Sequence, residues 1–131
     1  MKDRGYIVED VSSSSIYWNK DIDFIITSPT TGAVKTFEVK WDGCIHHTGN
    51  LYLELSNIHS QGGKGWYKFC EADYLAYGDA VSRLFYIIPM KELRARVSEL
   101  PQRMAGCGYD STGLLISLGD LSDIIAVLNP S

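Results

Sequence analysis

Cysteine is scarce and unpatterned in this sequence. Cys44, Cys70 and Cys107 are odd in number and widely spaced, with no C-x-x-C pair and no histidines at zinc-finger spacing. A disulfide scaffold and a structural zinc site are thereby excluded, and a reduced, cytoplasmic setting is expected. Long apolar runs are missing as well. Nothing approaches the ~20 apolar residues that span a bilayer, and Met1-Lys2-Asp3-Arg4-Gly5 contains no apolar leader core, so neither secretion nor membrane insertion is expected. Positive charge is in the minority: 12 Lys and Arg stand against 16 Asp and Glu, a net charge of −4. That balance points to no polyanionic partner. It excludes none either, because phosphate recognition needs only a local basic groove while catalytic carboxylates pull the total down.

What is present is ordinary globular material. At 131 residues, 45% of them hydrophobic, the chain is long enough for one domain with a single apolar core, and no internal repeat or linker divides it. Tyr6 to Val11 is β-prone and closes on the serine run Ser12–Ser15; Ile16-Tyr17-Trp18 extends it before the turn at Asn19-Lys20. Asp21 to Thr27 and Val34 to Trp41 form a β-hairpin about Ser28-Pro29-Thr30-Thr31-Gly32. Leu51 to Leu55 alternates as another strand, expected beside the strand of Glu38. Ser60 to Trp66 is a glycine-rich loop, and Tyr67 to Tyr77 is expected as a short helix or turn leading to the strand Arg83–Ile88. Met90 to Leu100 is the clearest helix, with Pro89 at its start and Pro101 beyond its end. Leu114 to Leu118 reads as a last strand, and Leu121 to Leu128 as a closing helix or irregular cover.

The chemistry concentrates in the hairpin. Side chains alternate along a strand, so Glu38 and Lys40 share one face while Val39 is expected to point into the core. Asp23, near the start of the preceding strand, is placed to converge with Glu38 into a two-carboxylate site for a hard cation such as Mg2+ or Mn2+, with the Val39 carbonyl completing the shell. Phosphodiester cleavage needs such a set: a metal to activate water and neutralise charge, and a lysine to orient the water or stabilise the transition state. Glu-x-Lys alone describes any solvent-facing strand with an ion pair. Asp-x-Asp ahead of Phe24-Ile25-Ile26, a short Pro/Gly turn, and Glu-x-Lys framed by Phe, Val and Trp make the pattern specific by their order.

In that order the residues resemble the PD-(D/E)xK nuclease superfamily, in which an Asp, a hairpin turn and Glu-x-Lys follow one another; the match is Asp23 with Glu38-Val39-Lys40. Asn50-Leu51-Tyr52-Leu53-Glu54, Gly63-Lys64-Gly65-Trp66 and Glu71-Ala72-Asp73-Tyr74-Leu75-Ala76-Tyr77 look like phage-encoded members. The likeness runs from about Gly5 to Pro89. It implies an α/β, restriction-endonuclease-like fold, a mixed β-sheet flanked by helices, and Mg2+- or Mn2+-dependent cleavage of duplex or branched DNA. Phage DNA processing and Holliday-junction resolution are the particular roles it suggests, in a bacterial or phage-infected cytoplasm, with a homodimer as a reasonable assembly. By the same resemblance Asp23, Glu38 and Lys40 are catalytic, and Asp23, Glu38 and Val39 hold the metal. Asp21 competes with Asp23 for the ligand position. Glu9 substitutes for the glutamate that many members carry on a preceding helix, and Glu54 is a further acidic candidate.

Other motifs carry less. Gly62-Gly63-Lys64-Gly65 lacks the spacing of a nucleotide-binding loop, so its expected role is backbone and Lys64 contact with nucleic acid, with Trp66 and Lys68 supplying aromatic and basic character beside it. His46-His47 read as a surface loop. Pairings of Cys44 with His46, or of His59 with Ser60, lack a third residue to orient them. Lys91, Arg94 and Arg96 read as a solvated helix face. The competing function from another class is a non-catalytic inhibitor that binds nucleic acid or protein on a nuclease scaffold; the acidic net charge favours it, and the clustered Asp23, Glu38 and Lys40 oppose it.

Overall fold

A computed structural model describes residues 7–14, 20, 22–57, 65–101, 103–107 and 111–129, and the described residues form two β-sheets and a few short helices. The architecture is mixed α/β with strand predominating. Strands β1 (Ile7–Asp10), β2 (Phe24–Thr27) and β3 (Val34–Asp42) form an antiparallel meander. The β2–β3 turn closes as expected: Gly32, at φ +72°, donates its N–H to the Ser28 carbonyl at 2.9 Å. Positive φ costs glycine little, which is why that position takes it.

From β3 the chain leaves the sheet. It passes through α1 (Ile45–Thr48), β4 (Asn50–Asn57) and α2 (Trp66–Phe69), and returns as β5 (Tyr74–Asp79), parallel to β3. Strand β6 (Phe85–Pro89) is antiparallel to β5 and leads into α3 (Met90–Glu99). Pro89 caps α3 with φ −62°, a value its ring imposes. Strands β7 (Arg103–Cys107) and β8 (Ser111–Ser117) follow, then a 3-10 turn (Leu118–Leu121) and β9 (Ala126–Leu128). The main sheet runs β1-β2-β3-β5-β6-β9, and a smaller one runs β4-β8-β7.

Register fixes which face each residue takes. Glu38 neighbours Leu75, which pairs with Ile88; Lys40 neighbours Tyr77, which pairs with Tyr86. This face is covered, because Leu75, Tyr77 and Ile88 share one core with Met90, Leu93 and Val97 of α3 and with Leu51, Leu53, Leu114 and Ile116 of the smaller sheet. Tyr77 joins the sheets directly by accepting the Tyr52 N–H at 3.0 Å. On the opposite face Val8, Phe24, Ile26, Phe37, Val39, Ala76, Phe85, Ile87 and Leu128 line an open apolar groove. No described helix is long and apolar enough to cross a membrane.

Several expectations are corrected. Val39 lines the open groove rather than entering the core, and it is Glu38 and Lys40 that lie on the covered face, because α3 and the smaller sheet pack there. Strand β4 does not adjoin the strand of Glu38; it pairs with β8 in the smaller sheet, and β3 has β2 and β5 as neighbours. Of Tyr67–Tyr77 only Tyr67–Phe69 is helical, as the end of α2, and Tyr74 onward belongs to the interior strand Tyr74–Asp79. It lies between β3 and β6 and is buried on both faces, so it shows no alternation to read. The closing segment Leu121–Leu128 ends in β9 rather than a helix, and β7 precedes the expected last strand. Arg94 and Arg96 do more than face solvent. Arg94 donates to the carbonyls of Tyr67 and Cys70, and Arg96 makes two hydrogen bonds with the Asp123 carboxylate, at 2.7 and 2.8 Å.

Candidate functional site

Hairpin geometry puts the first carboxylate where the sequence order requires it. Backbone pairing of β2 with β3 ends at Phe24 and Phe37, and the Asp23 N–H still donates to the Phe37 carbonyl at 2.8 Å. Beyond that point the Asp23 side chain replaces a backbone partner: its Oδ2 accepts the N–H of Val39 at 2.9 Å. The carboxylate is thereby fixed against the residue that separates Glu38 from Lys40. A residue's N–H and C=O leave a strand on the same side, so the Val39 carbonyl shares the edge that Asp23 occupies.

Glu38 lies on the covered face and is only 3% exposed. Its Oε1 stands 3.2 Å from the Lys40 ammonium, whose side chain is 30% exposed. The ammonium also sits over the Trp66 ring, 5.4 Å from its centroid. Asp23 is thus tied by hydrogen bond to the Val39 backbone, while the adjacent Glu38 is buried and pairs with the more accessible Lys40, whose ammonium lies over Trp66. Among the described residues no three His, Cys, Asp or Glu side chains converge as a ready metal cage. The donors present are two carboxylates and a backbone carbonyl, hard oxygen ligands of the kind that Mg2+ accepts while keeping several waters.

The remaining candidates separate. Glu54 lies against Gly65, the residue before Trp66, but its Oε2 is engaged by the Ser111 hydroxyl at 3.0 Å and the Asn57 amide at 3.3 Å. Glu54 pairs with Gly113 of β8, and the register of the two strands shifts just beyond it, between Glu54 and Ser56. Glu9 is exposed on edge strand β1, opposite Ile25. Lys68 is exposed on α2, whereas Trp66 is buried against Lys40 and Tyr67 rather than offered to bases. Asp21 and Lys64 lie outside the described residues, as do His59 and Ser60.

A second group of polar residues extends along the same face of the parallel pair. The buried Tyr77 hydroxyl donates to Asp42 Oδ2 at 2.5 Å, and burial, followed by this hydrogen bond to Asp42, pushes the phenol's pKa well up. Asp79 is buried, which opposes ionisation, yet N–H groups of Ser82 and Val81, the Ser82 hydroxyl and His46 outweigh burial and hold its pKa at about 2. His46 Nδ1 lies 3.2 Å from Asp79 Oδ2, and Cys44 is an exposed free thiol. This pairing anchors α1 to the end of β5. The expected strand ends at Trp41, so Asp42, which continues β3 on the face of Glu38 and Lys40, was missed; Tyr77 and Asp79 were hidden because β5 was not expected as a strand.

Comparison with protein-family models, curated proteins and solved structures gives no match to this chain.

Proposed function

We propose that the chain is a divalent-metal-dependent endonuclease that hydrolyses DNA phosphodiester bonds, on a restriction-endonuclease-like fold. The observation that carries this reading is the Asp23 carboxylate seated on the Val39 N–H, which fixes one acidic ligand at the Glu-x-Lys step of the next strand. Asp23, Glu38 and the Val39 carbonyl would hold Mg2+ or Mn2+, and the ion would supply Lewis acidity at the phosphate. Lys40, far more accessible than Glu38, would orient the attacking water and place positive charge beside the phosphate oxygens. Glu38, excluded from solvent, would act in a low-dielectric setting where its charge is felt strongly. Branched or duplex DNA is the proposed substrate, with junction resolution and phage DNA processing as the particular roles.

The test is cleavage of supercoiled plasmid, linear duplex, four-way junction, single strands and RNA, with Mg2+ or Mn2+, by wild type, Glu38→Gln and Lys40→Ala. Metal-dependent cutting that falls at least about a hundredfold in both variants is expected, the scale for losing one preorganised electrostatic group. A folded wild type that cuts no substrate would overturn the catalytic reading in favour of a binding or inhibitory role.

A further inference from the structure

Glu38 has two calls on one carboxylate. In the structure its Oε1 is 3.2 Å from Lys40, and in the proposed reaction the same side chain would ligate a divalent cation. A cation that takes the carboxylate weakens the ion pair and adds positive charge near the ammonium, which favours its departure. Lys40 must nevertheless stay at the site to act. The Trp66 ring is a partner that does not compete for metal: its negative π-face attracts the ammonium, and the observed 5.4 Å lies within the ≈ 6 Å reach of that interaction.

The ring is held firmly enough to serve. Trp66 is 8% exposed and opens α2, packed edge-to-face on Tyr67 at an interplanar angle of 86°. Gly65 before it donates its N–H to the Leu55 carbonyl at 2.9 Å and lies so close to β4 that an added Cβ would stand 2.3 Å from the Glu54 carbonyl oxygen. At its other end α2 is tied to α3, where Arg94 donates to the carbonyls of Tyr67 and Cys70. The indole is thus part of the scaffold, whereas the lysine is a flexible chain that needs a seat.

We propose that Trp66 is a positioning residue, the neutral seat that keeps the Lys40 ammonium at the site when Glu38 turns to the metal. The inference rests on the nuclease reading and assigns Trp66 a role in it other than base stacking.

NMR of the full chain tests it without turnover. The Lys40 Cε–Hε signal of wild type is expected upfield of its position in Trp66→Leu, through the indole ring current, and is expected to stay there as Mg2+ is titrated and the Val39 amide beside Asp23 responds. Cleavage by Trp66→Leu is expected to show a kcat about tenfold lower with little change in KM for DNA, and Trp66→Phe, which restores a ring face, is expected to recover most of it. A Val39 response accompanied by loss of the Lys40 ring-current shift would overturn the inference alone. Full kcat in Trp66→Leu would also overturn it alone. No Mg2+ response at Val39 would overturn the metal-site reading and the inference with it. If Trp66→Leu does not fold, the wild-type titration and Trp66→Phe still decide the matter.

Discussion

At the scale of single residues, Asp23 and Asp79 show how one chemical group is fixed for two purposes. Asp23 accepts a backbone N–H at the point where β2 stops pairing, which places a carboxylate beside the Glu-x-Lys step. Asp79 is a structural clasp: it accepts the N–H groups of Val81 and Ser82 after β5 and meets His46 of α1. Its carboxyl titrates at about 2 in the folded chain against an ordinary 3.8. A depressed pKa stabilises the fold above the unfolded value, and that contribution is lost as the pH falls through the folded one. Chemical denaturation between about pH 4 and 2 is therefore expected to show a steeper loss of stability in wild type than in Asp79→Asn, which is less stable near neutrality but lacks this acid-sensitive step. Equal slopes would show that the Asp79 hydrogen bonds do not hold the turn. Tyr77 acts in the opposite direction. Burial and Asp42 raise its pKa, so its contribution is full below about 10 and is lost as the solution becomes strongly alkaline.

At the scale of elements, the two faces of the main sheet give sharply different expectations. Leu75, fully buried on the covered face, should cost about 2–5 kcal/mol on replacement by Ala, as large-to-small core changes do. Ile87→Ala on the open groove should cost less, about 1 kcal/mol, because the side chain already meets solvent. Equal losses by denaturant titration would mean that the groove is covered in solution. Gly65→Ala is expected to destabilise by about 1–3 kcal/mol, since the 2.3 Å approach is to backbone and cannot be relieved by a rotamer change. The hairpin that carries Asp23, Glu38 and Lys40 was legible in the sequence because both strands are bounded by turn residues and β3 alternates. So was α3, between Pro89 and Pro101. Strand β5 was not, since a doubly buried strand loses its period, and without β5 the neighbourhood of Tyr77 and Asp79 was invisible. The short β7 and β9 are specified by pairing partners more than by their own residues, which local pattern does not record. The placement of Glu54 in a second sheet is likewise a matter of long-range pairing.

At the scale of the whole molecule, the parallel pairing of β3 with β5 is closed by a crossover that itself contains a strand of the smaller sheet. Residues far apart in sequence, Lys40 and Trp66, meet because of it. The acidic total charge is no obstacle to a phosphate substrate if a bound cation offsets the carboxylates of the site. A ligand that binds only the folded state raises its stability by mass action. Saturating Mn2+ is therefore expected to raise the melting temperature of wild type and to leave Asp23→Asn with Glu38→Gln unchanged; equal shifts in both would place the ion elsewhere. The most direct measurement is the paramagnetic broadening of backbone amide signals as Mn2+ is added in small amounts. The account predicts that Val39, whose N–H lies 2.9 Å from the Asp23 carboxylate, broadens first together with its neighbours in β2 and β3, and that Glu38→Gln abolishes the effect. Broadening centred on His46 and His47, or no selective broadening, would contradict it.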